Sequence, residues 1–203
     1  MRSSKDNRLT LAWTALTAVG LGTGMITALV LGGPIQAVVG MMLVTPILTG
    51  LVGAILGASQ SLQLKSLLSR PWAWVIATGS GLGIGLAAGV VVVEQGGRWL
   101  AGHPVNVVSL STLDRAVSFA VIGLVAGLAL GFCQQLVLSR QAPAVKGWIV
   151  TTALALCLAF SSASFVVDSL LSGIASPRGV VGFVLGAGLI FGALTSRPLR
   201  RAV

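Results

Sequence analysis

Charge is scarce in this chain: 8% of its 203 residues are Asp, Glu, Lys or Arg, where soluble domains carry ~25%. With 55% hydrophobic residues and a mean hydropathy of +0.99, a water-soluble globular domain is excluded and a bilayer is the expected solvent. Acids are rarer still. Asp6, Glu94, Asp114 and Asp168 are the only four, and no charge of either sign falls in the middle of an apolar stretch. The intramembrane ionisable groups of proton relays, ion-coupled pumps and membrane proteases are therefore missing. The sole histidine, His103, sits in a connecting segment, which leaves no His cluster and no Ser–His pair at membrane depth. Two cysteines occur, Cys133 and Cys157. Counted from the flanking cations Arg140 and Lys146, they differ in depth by roughly 6 Å at ~1.5 Å rise per residue. That is poor geometry for a disulfide, and two thiols are too few for a metal site. No catalytic residue and no metal ligand is assigned, and both cysteines are read as packing residues.

What is abundant is apolar sequence, in runs near the ~20 residues a helix needs to cross the hydrocarbon. Six can be marked, at 9–31, 35–60, 71–94, 114–138, 147–170 and 178–196. Gly32, Gly33 and Pro34, then "KSLLSR", the long 95–113 segment, "SRQAPAVK" and "SGIASPR" separate them, as expected of turn-forming and charged residues. The expected fold class is an all-α integral membrane protein, a six-helix transmembrane bundle forming one domain over 1–203, with 95–113 a noncytoplasmic interfacial loop. The first run follows a basic "MRSSKDNR" but exceeds the ~7–15 residues of a secretory h-region, so it is read as retained. A net charge of +9 would suggest nucleic acid in a soluble protein. Here the cations cluster at span ends, and no nucleic-acid partner is expected. Arg2, Lys5, Arg8, Lys65, Arg70, Arg140, Lys146, Arg197, Arg200 and Arg201 lie on the side of the termini, against Arg98, Arg115 and Arg178 on the other. The positive-inside rule then predicts that both termini are cytoplasmic.

Two segments nearly repeat: "GAILGASQSLQL" at 53–64 and "GLALGFCQQLVL" at 127–138. A shift of 74 positions superposes Gly53 on Gly127, Gly57 on Gly131, Gln60 on Gln134, Leu62 on Leu136 and Leu64 on Leu138, and carries on to bring Trp74 onto Trp148 and Thr78 onto Thr152. Trp13 with Thr17 repeats the Trp-x-x-x-Thr spacing, and Gly188 with Gly192 repeats the Gly-x-x-x-Gly spacing. Trp13 to Gly53 and Trp148 to Gly188 both span 40 positions. The chain reads as three tandem two-helix units, at about 9–65, 70–140 and 145–197, each a Trp-led helix followed by a Gly-rich one.

Each feature has a physical job. Trp13, Trp74 and Trp148 follow a cation by two to five residues, which places the indoles at headgroup depth as interface anchors. Glycine-zipper faces allow the close backbone approach that drives helix association where lipid tails are as apolar as leucine. Such stripes run along Gly123, Gly127 and Gly131, along Gly81, Gly85 and Gly89, and as alanine along Ala155, Ala159 and Ala163. A tight bundle without a wide aqueous pore is expected. "GSGLGIG" at 79–85 follows no strand and is read as a packing face, not a phosphate loop. Gln60 and Gln134 are placed to bond a neighbouring backbone, a Thr hydroxyl or an indole N–H. On a functional reading, Gly53, Gly57, Gln60, Gly127, Gly131 and Gln134 form ligand- or partner-facing patches. Pro46, with Thr45 and Thr49 beside it, predicts a kink without a counterpart in the second copy.

The run Gly53, Gly57, Gln60, Leu62, Leu64, Trp74, Thr78 and its second copy from Gly127 to Thr152 resembles a group of uncharacterised bacterial polytopic membrane proteins frequent in photosynthetic lineages. These carry repeated Gly-x-x-x-Gly-x-x-Gln-x-Leu-x-Leu helices, each followed by a Trp-led helix. The resemblance implies a fold, in a bacterial inner or thylakoid-like membrane. The leading expectation is a non-enzymatic accessory or scaffold subunit of a larger membrane complex, partnered by membrane lipids and other membrane protein subunits, with lipid or pigment in its grooves. The alternative is a small-molecule carrier such as the substrate-binding membrane subunit of a vitamin uptake system, with Gly20 and Gly24 as a docking face.

Overall fold

The computed structural model describes residues 4–39, 41–65, 67–101, 110–142, 145, 147–170 and 177–200. They form six α-helices in succession: α1 (Ser4–Val39), α2 (Met41–Leu64), α3 (Pro71–Ala101), α4 (Thr112–Gln141), α5 (Trp148–Leu170) and α6 (Pro177–Arg200). No strand occurs among the described residues. All six are long and apolar enough to cross a membrane. Glycine, a poor helix former in water, is tolerated throughout because a backbone in hydrocarbon finds no partner other than its own i−4 carbonyls. At one described entrance the local chemistry is visible. Ser111 caps α4, its Oγ accepting from the Asp114 N–H at 3.2 Å and donating to Asp114 Oδ2 at 2.6 Å, so that one of the first-turn N–H groups is satisfied by a side chain.

Two helices outrun the sequence expectation. α1 does not turn at Gly32, Gly33 and Pro34 but continues through them to Val39. A proline removes one N–H and one i−4 bond, and the bonds of the residues on either side carry the helix across it. α3 likewise continues past Glu94 through Gln95, Gly96, Gly97 and Arg98 to Ala101, so the interfacial loop is shorter than 95–113. Polarity ends the part of a helix that prefers lipid; it does not end its hydrogen bonding. With 31 residues, α3 is about 46 Å long at ~1.5 Å per residue, against a hydrocarbon thickness of ~30 Å. His103 lies outside the described residues, as does Lys146.

Each helix packs its backbone on its neighbours in the chain, and α6 closes on α1; among the described residues no other helix backbones come together, and the remaining pairs touch only through side chains that reach the axis. The bundle is thus a closed ring. Glycines set how tightly it closes. A Cβ added at Gly127 would lie 2.5 Å from the Ala153 Cα, and one at Gly123 would lie 2.5 Å from the Leu156 carbonyl oxygen, so α4 meets α5 backbone to backbone. Gly81 and Gly85 do the same to α4, with Leu130 and Ala126 Cα atoms 2.7 Å from their would-be Cβ positions. Gly79 and Gly83, two residues out of phase, face α2 at Gly50 and Pro46. The "GSGLGIG" run therefore seals two seams at once. Gly20 and Gly24 press on Leu56 and Val52 of α2, and Gly188 and Gly192 on Ala18 and Thr14 of α1.

Large apolar side chains point outward, among them Leu11, Ile26, Ile76, Ile84, Leu128 and Leu189. On a water-exposed surface so many would be a liability; against lipid tails they are the matching solvent. Inside the ring, Leu21, Met25, Leu56, Leu86, Phe160 and Phe191 are among the residues around an axial cavity of about 60 Å³. Phe119, Phe160 and Phe183 cluster beside it, with ring centroids 5.2 to 6.4 Å apart.

Candidate functional site

The polar chemistry of the ring gathers at the end where α1 begins and α6 finishes. Trp13 from α1, Trp74 from α3 and Trp148 from α5 turn inward and meet edge to face, with centroids 6.5 Å apart for Trp13 with Trp148 and 5.8 Å for Trp74 with Trp148. Such contacts suit the ring quadrupoles. Each indole N–H finds a partner on the helix before it around the ring. Trp74 Nε1 donates to Gln60 Oε1 at 3.3 Å, Trp148 Nε1 to Gln134 Oε1 at 2.9 Å, and Trp13 Nε1 to Thr195 Oγ1 at 2.9 Å. The two amides also reach across their own hairpins, Gln60 Nε2 donating to Thr17 Oγ1 at 3.1 Å and Gln134 Nε2 to Thr78 Oγ1 at 2.9 Å. Leu64, Leu138 and Leu199 pack under the indoles together with Leu68, Ala142 and Val145 from the connections. The Gln141 side chain joins those connections, its Oε1 accepting from the Arg70 N–H at 3.0 Å and the Ser69 hydroxyl at 3.2 Å.

Burial corrects two expectations. Trp13, Trp74 and Trp148 are at most 1% exposed, so they are an internal stopper and not anchors facing headgroups. Their distance from a cation gives depth along the helix; it says nothing of which side of the helix they occupy. The ligand- or partner-facing set is also turned inward. Gln60 and Gln134 are each 1% exposed and bonded within the chain, Gly53 and Gly57 face Thr78 and Val75 of α3, and Gly127 and Gly131 face Ala153 and Ile149 of α5. Gly20 and Gly24 are covered by α2, which removes the docking face of the carrier reading. The expected partners of the glutamines, a Thr hydroxyl and an indole N–H, are the ones they have. Beside Pro46 the Thr49 hydroxyl donates to the Thr45 carbonyl at 2.8 Å.

One position of the buried polar network was missed. Seven residues separate Gly53 from Gln60 and Gly127 from Gln134; the same count from Gly188 reaches Thr195. Thr195 accepts from Trp13 as the glutamines accept from Trp74 and Trp148. Its hydroxyl, however, donates back to the Phe191 carbonyl at 2.8 Å and does not reach α5. The α5 residue matching Thr17 and Thr78 is Thr152. Its Oγ1 is the one buried side-chain polar atom among the described residues without a hydrogen-bond partner.

Outside the ring a groove of about 520 Å³ follows the α5–α6 seam, with Val150, Thr151, Leu154 and Leu158 on one wall and Leu194 and Arg197 on the other. Cys133 and Cys157 are half-buried and unpaired, and among the described residues no three His, Cys, Asp or Glu side chains converge as a metal site. Comparison of the chain with protein-family models, curated proteins and solved structures gives no match.

Proposed function

We propose that this chain is a non-enzymatic accessory or scaffold subunit of a larger membrane complex, held in a bacterial inner or thylakoid-like membrane with both termini cytoplasmic, and built by triplication of a two-helix unit. The reading is carried by the closed interior. The inward indoles and amides bond within the chain, with Thr152 the buried exception among the described residues; three indoles stop one end of the axis, and the cavity above them measures about 60 Å³, whereas small-molecule sites usually enclose about 300–1,000 Å³. A body of this kind acts through its outer face and its ends. A carrier draws correspondingly less support from it. The triplication is supported by the Trp–Gln/Thr bonds that recur at matched spacings, and the orientation by ten of the thirteen Lys and Arg residues falling at the tryptophan end or in its flanking segments.

The test is capture of the tagged full chain from its native membranes after brief crosslinking. A membrane protein co-purifying at fixed stoichiometry through size exclusion is the expected result. A chain that elutes alone, at the mass of the single bundle in its detergent micelle, overturns the scaffold role.

A further inference from the structure

The α5–α6 seam departs from the other two hairpins in four ways. Gln60 ties α2 to α1 and Gln134 ties α4 to α3, but Thr195 leaves Thr152 untied. The stripe Gly81, Gly85 and Gly89 is matched in α5 by Ala155, Ala159 and Ala163, whose methyl groups hold a neighbouring backbone further off. The seam carries the outer groove, with Ala155 among its lining residues. Finally, the patterns Gln60-x-Leu62-x-Leu64 and Gln134-x-Leu136-x-Leu138 become Thr195-x-Arg197-x-Leu199. Leu62 and Leu136 are 55% and 52% exposed and face outward, and Arg197 is exposed at the matched position. A cation thus replaces an outward leucine at the lip of an apolar groove. An arginine on a lipid-facing surface is costly unless an anion or the headgroup layer receives it.

We propose that this groove holds one anionic phospholipid, with its phosphate on the Arg197 guanidinium and an acyl chain laid along Leu154 and Leu158. The dimensions fit. From Trp148, beside the lining residue Gly147, to Leu158 the α5 wall rises ten residue steps, about 15 Å at ~1.5 Å per residue, and one leaflet contributes about 15 Å of hydrocarbon. Arg197 meets the groove at the tryptophan end, where the cations collect, and the planar guanidinium forks onto phosphate oxygens. The Thr151 hydroxyl borders the same end. This site rests on the membrane-spanning reading of the chain and not on the scaffold role.

The test is native mass spectrometry of the full chain released from nanodiscs of palmitoyl-oleoyl phosphatidylglycerol and phosphatidylcholine in equal parts. One retained phosphatidylglycerol, enriched about fivefold or more over phosphatidylcholine, is expected, the factor that one cation near an anionic surface contributes. Arg197→Leu, which restores the residue found at positions 62 and 136, should bring the enrichment down to the bulk ratio, and Arg70→Leu on the α2–α3 connection should leave it intact. Leu154→Trp, which fills the groove while keeping Arg197, should lower retention of either lipid and carries the test if Arg197→Leu does not fold. Equal retention of the two lipids by the wild type overturns the proposal, as does enrichment unchanged in both groove variants. So does a change of oligomeric mass in place of lipid count, which would give the groove to a second copy. A chain that does not enter nanodiscs at all overturns the membrane reading itself, and the site with it.

Discussion

Thr195 carries the sharpest consequence at the level of single residues. It accepts from Trp13 but stops short of α5, and Thr152 is left buried with an unpartnered hydroxyl. A longer side chain with both an acceptor and a donor would serve the two at once, as Gln134 serves Trp148 and Thr78. Thr195→Gln is therefore expected to stabilise the bundle by about 1 kcal/mol, the scale of hydrogen bonds between membrane helices. Gln134→Leu should do the reverse. It leaves the Trp148 indole N–H and the Thr78 hydroxyl buried without their partner, at a cost of about 1–3 kcal/mol. Unfolding in mixed micelles of increasing SDS fraction reads both changes, and a destabilised Thr195→Gln would count against the equivalence of the three positions. The glutamines were legible as register-setting groups because an amide in a lipid-facing span must find a partner. Thr195 was not, because a lone threonine in a helix is bonded by default to its own i−4 carbonyl, and only the spacing from Gly188 marks it out.

At the level of elements, glycine positions sort by what lies opposite. A Cβ at Gly127 would sit 2.5 Å from the Ala153 Cα and 2.8 Å from the Thr152 carbonyl oxygen. Both are backbone atoms that move only if the helices part. Gly127→Ala is expected to cost about 1–3 kcal/mol, the range for overpacking a filled interior. Gly33, inside α1, has nothing within 4 Å of its would-be Cβ. Gly33→Ala should be tolerated with a gain of up to about 1 kcal/mol from helix propensity. The same SDS titration separates the two, and equal effects would remove the close-approach account of the α4–α5 seam. Helix number and approximate placement were readable from apolar runs. The ends of α1 and α3 were not, because Pro34 and the polar stretch after Glu94 look like stops to a reading based on polarity, while the hydrogen-bond ladder continues across them.

For the whole molecule, closure of α6 on α1 brings the first and last helices together at the tryptophan end, with Trp13 and Thr195 bonded across 182 positions. The start of α1, the end of α6, and the junctions where α2 gives way to α3 and α4 to α5 then lie at one end of the bundle. The proposed orientation puts that end in the cytoplasm. Single cysteines placed at Arg8, Ser69 and Ser139 in a chain carrying Cys133→Ala and Cys157→Ala should resist a membrane-impermeant maleimide in intact cells and react in inverted vesicles. One at Leu113, at the start of α4, should behave the opposite way. Labelling of Arg8 and Leu113 positions from the same side would break the alternation of crossings, and labelling with the sides exchanged would invert the orientation alone.

The amino-acid sequence by itself determined the apolar character, the number of helices long enough to cross a membrane, the glycine stripes and the polar pairs on offer. These depend on transfer energies and spacings that accumulate locally along a helix. Tertiary structure alone decided that the tryptophans turn inward, that the glycine and glutamine faces are covered by the chain itself, and that a groove with a cation at its lip opens between α5 and α6. Which side of a helix is inside depends on the helices that come to flank it, and in a closed ring that is settled only when the last helix meets the first.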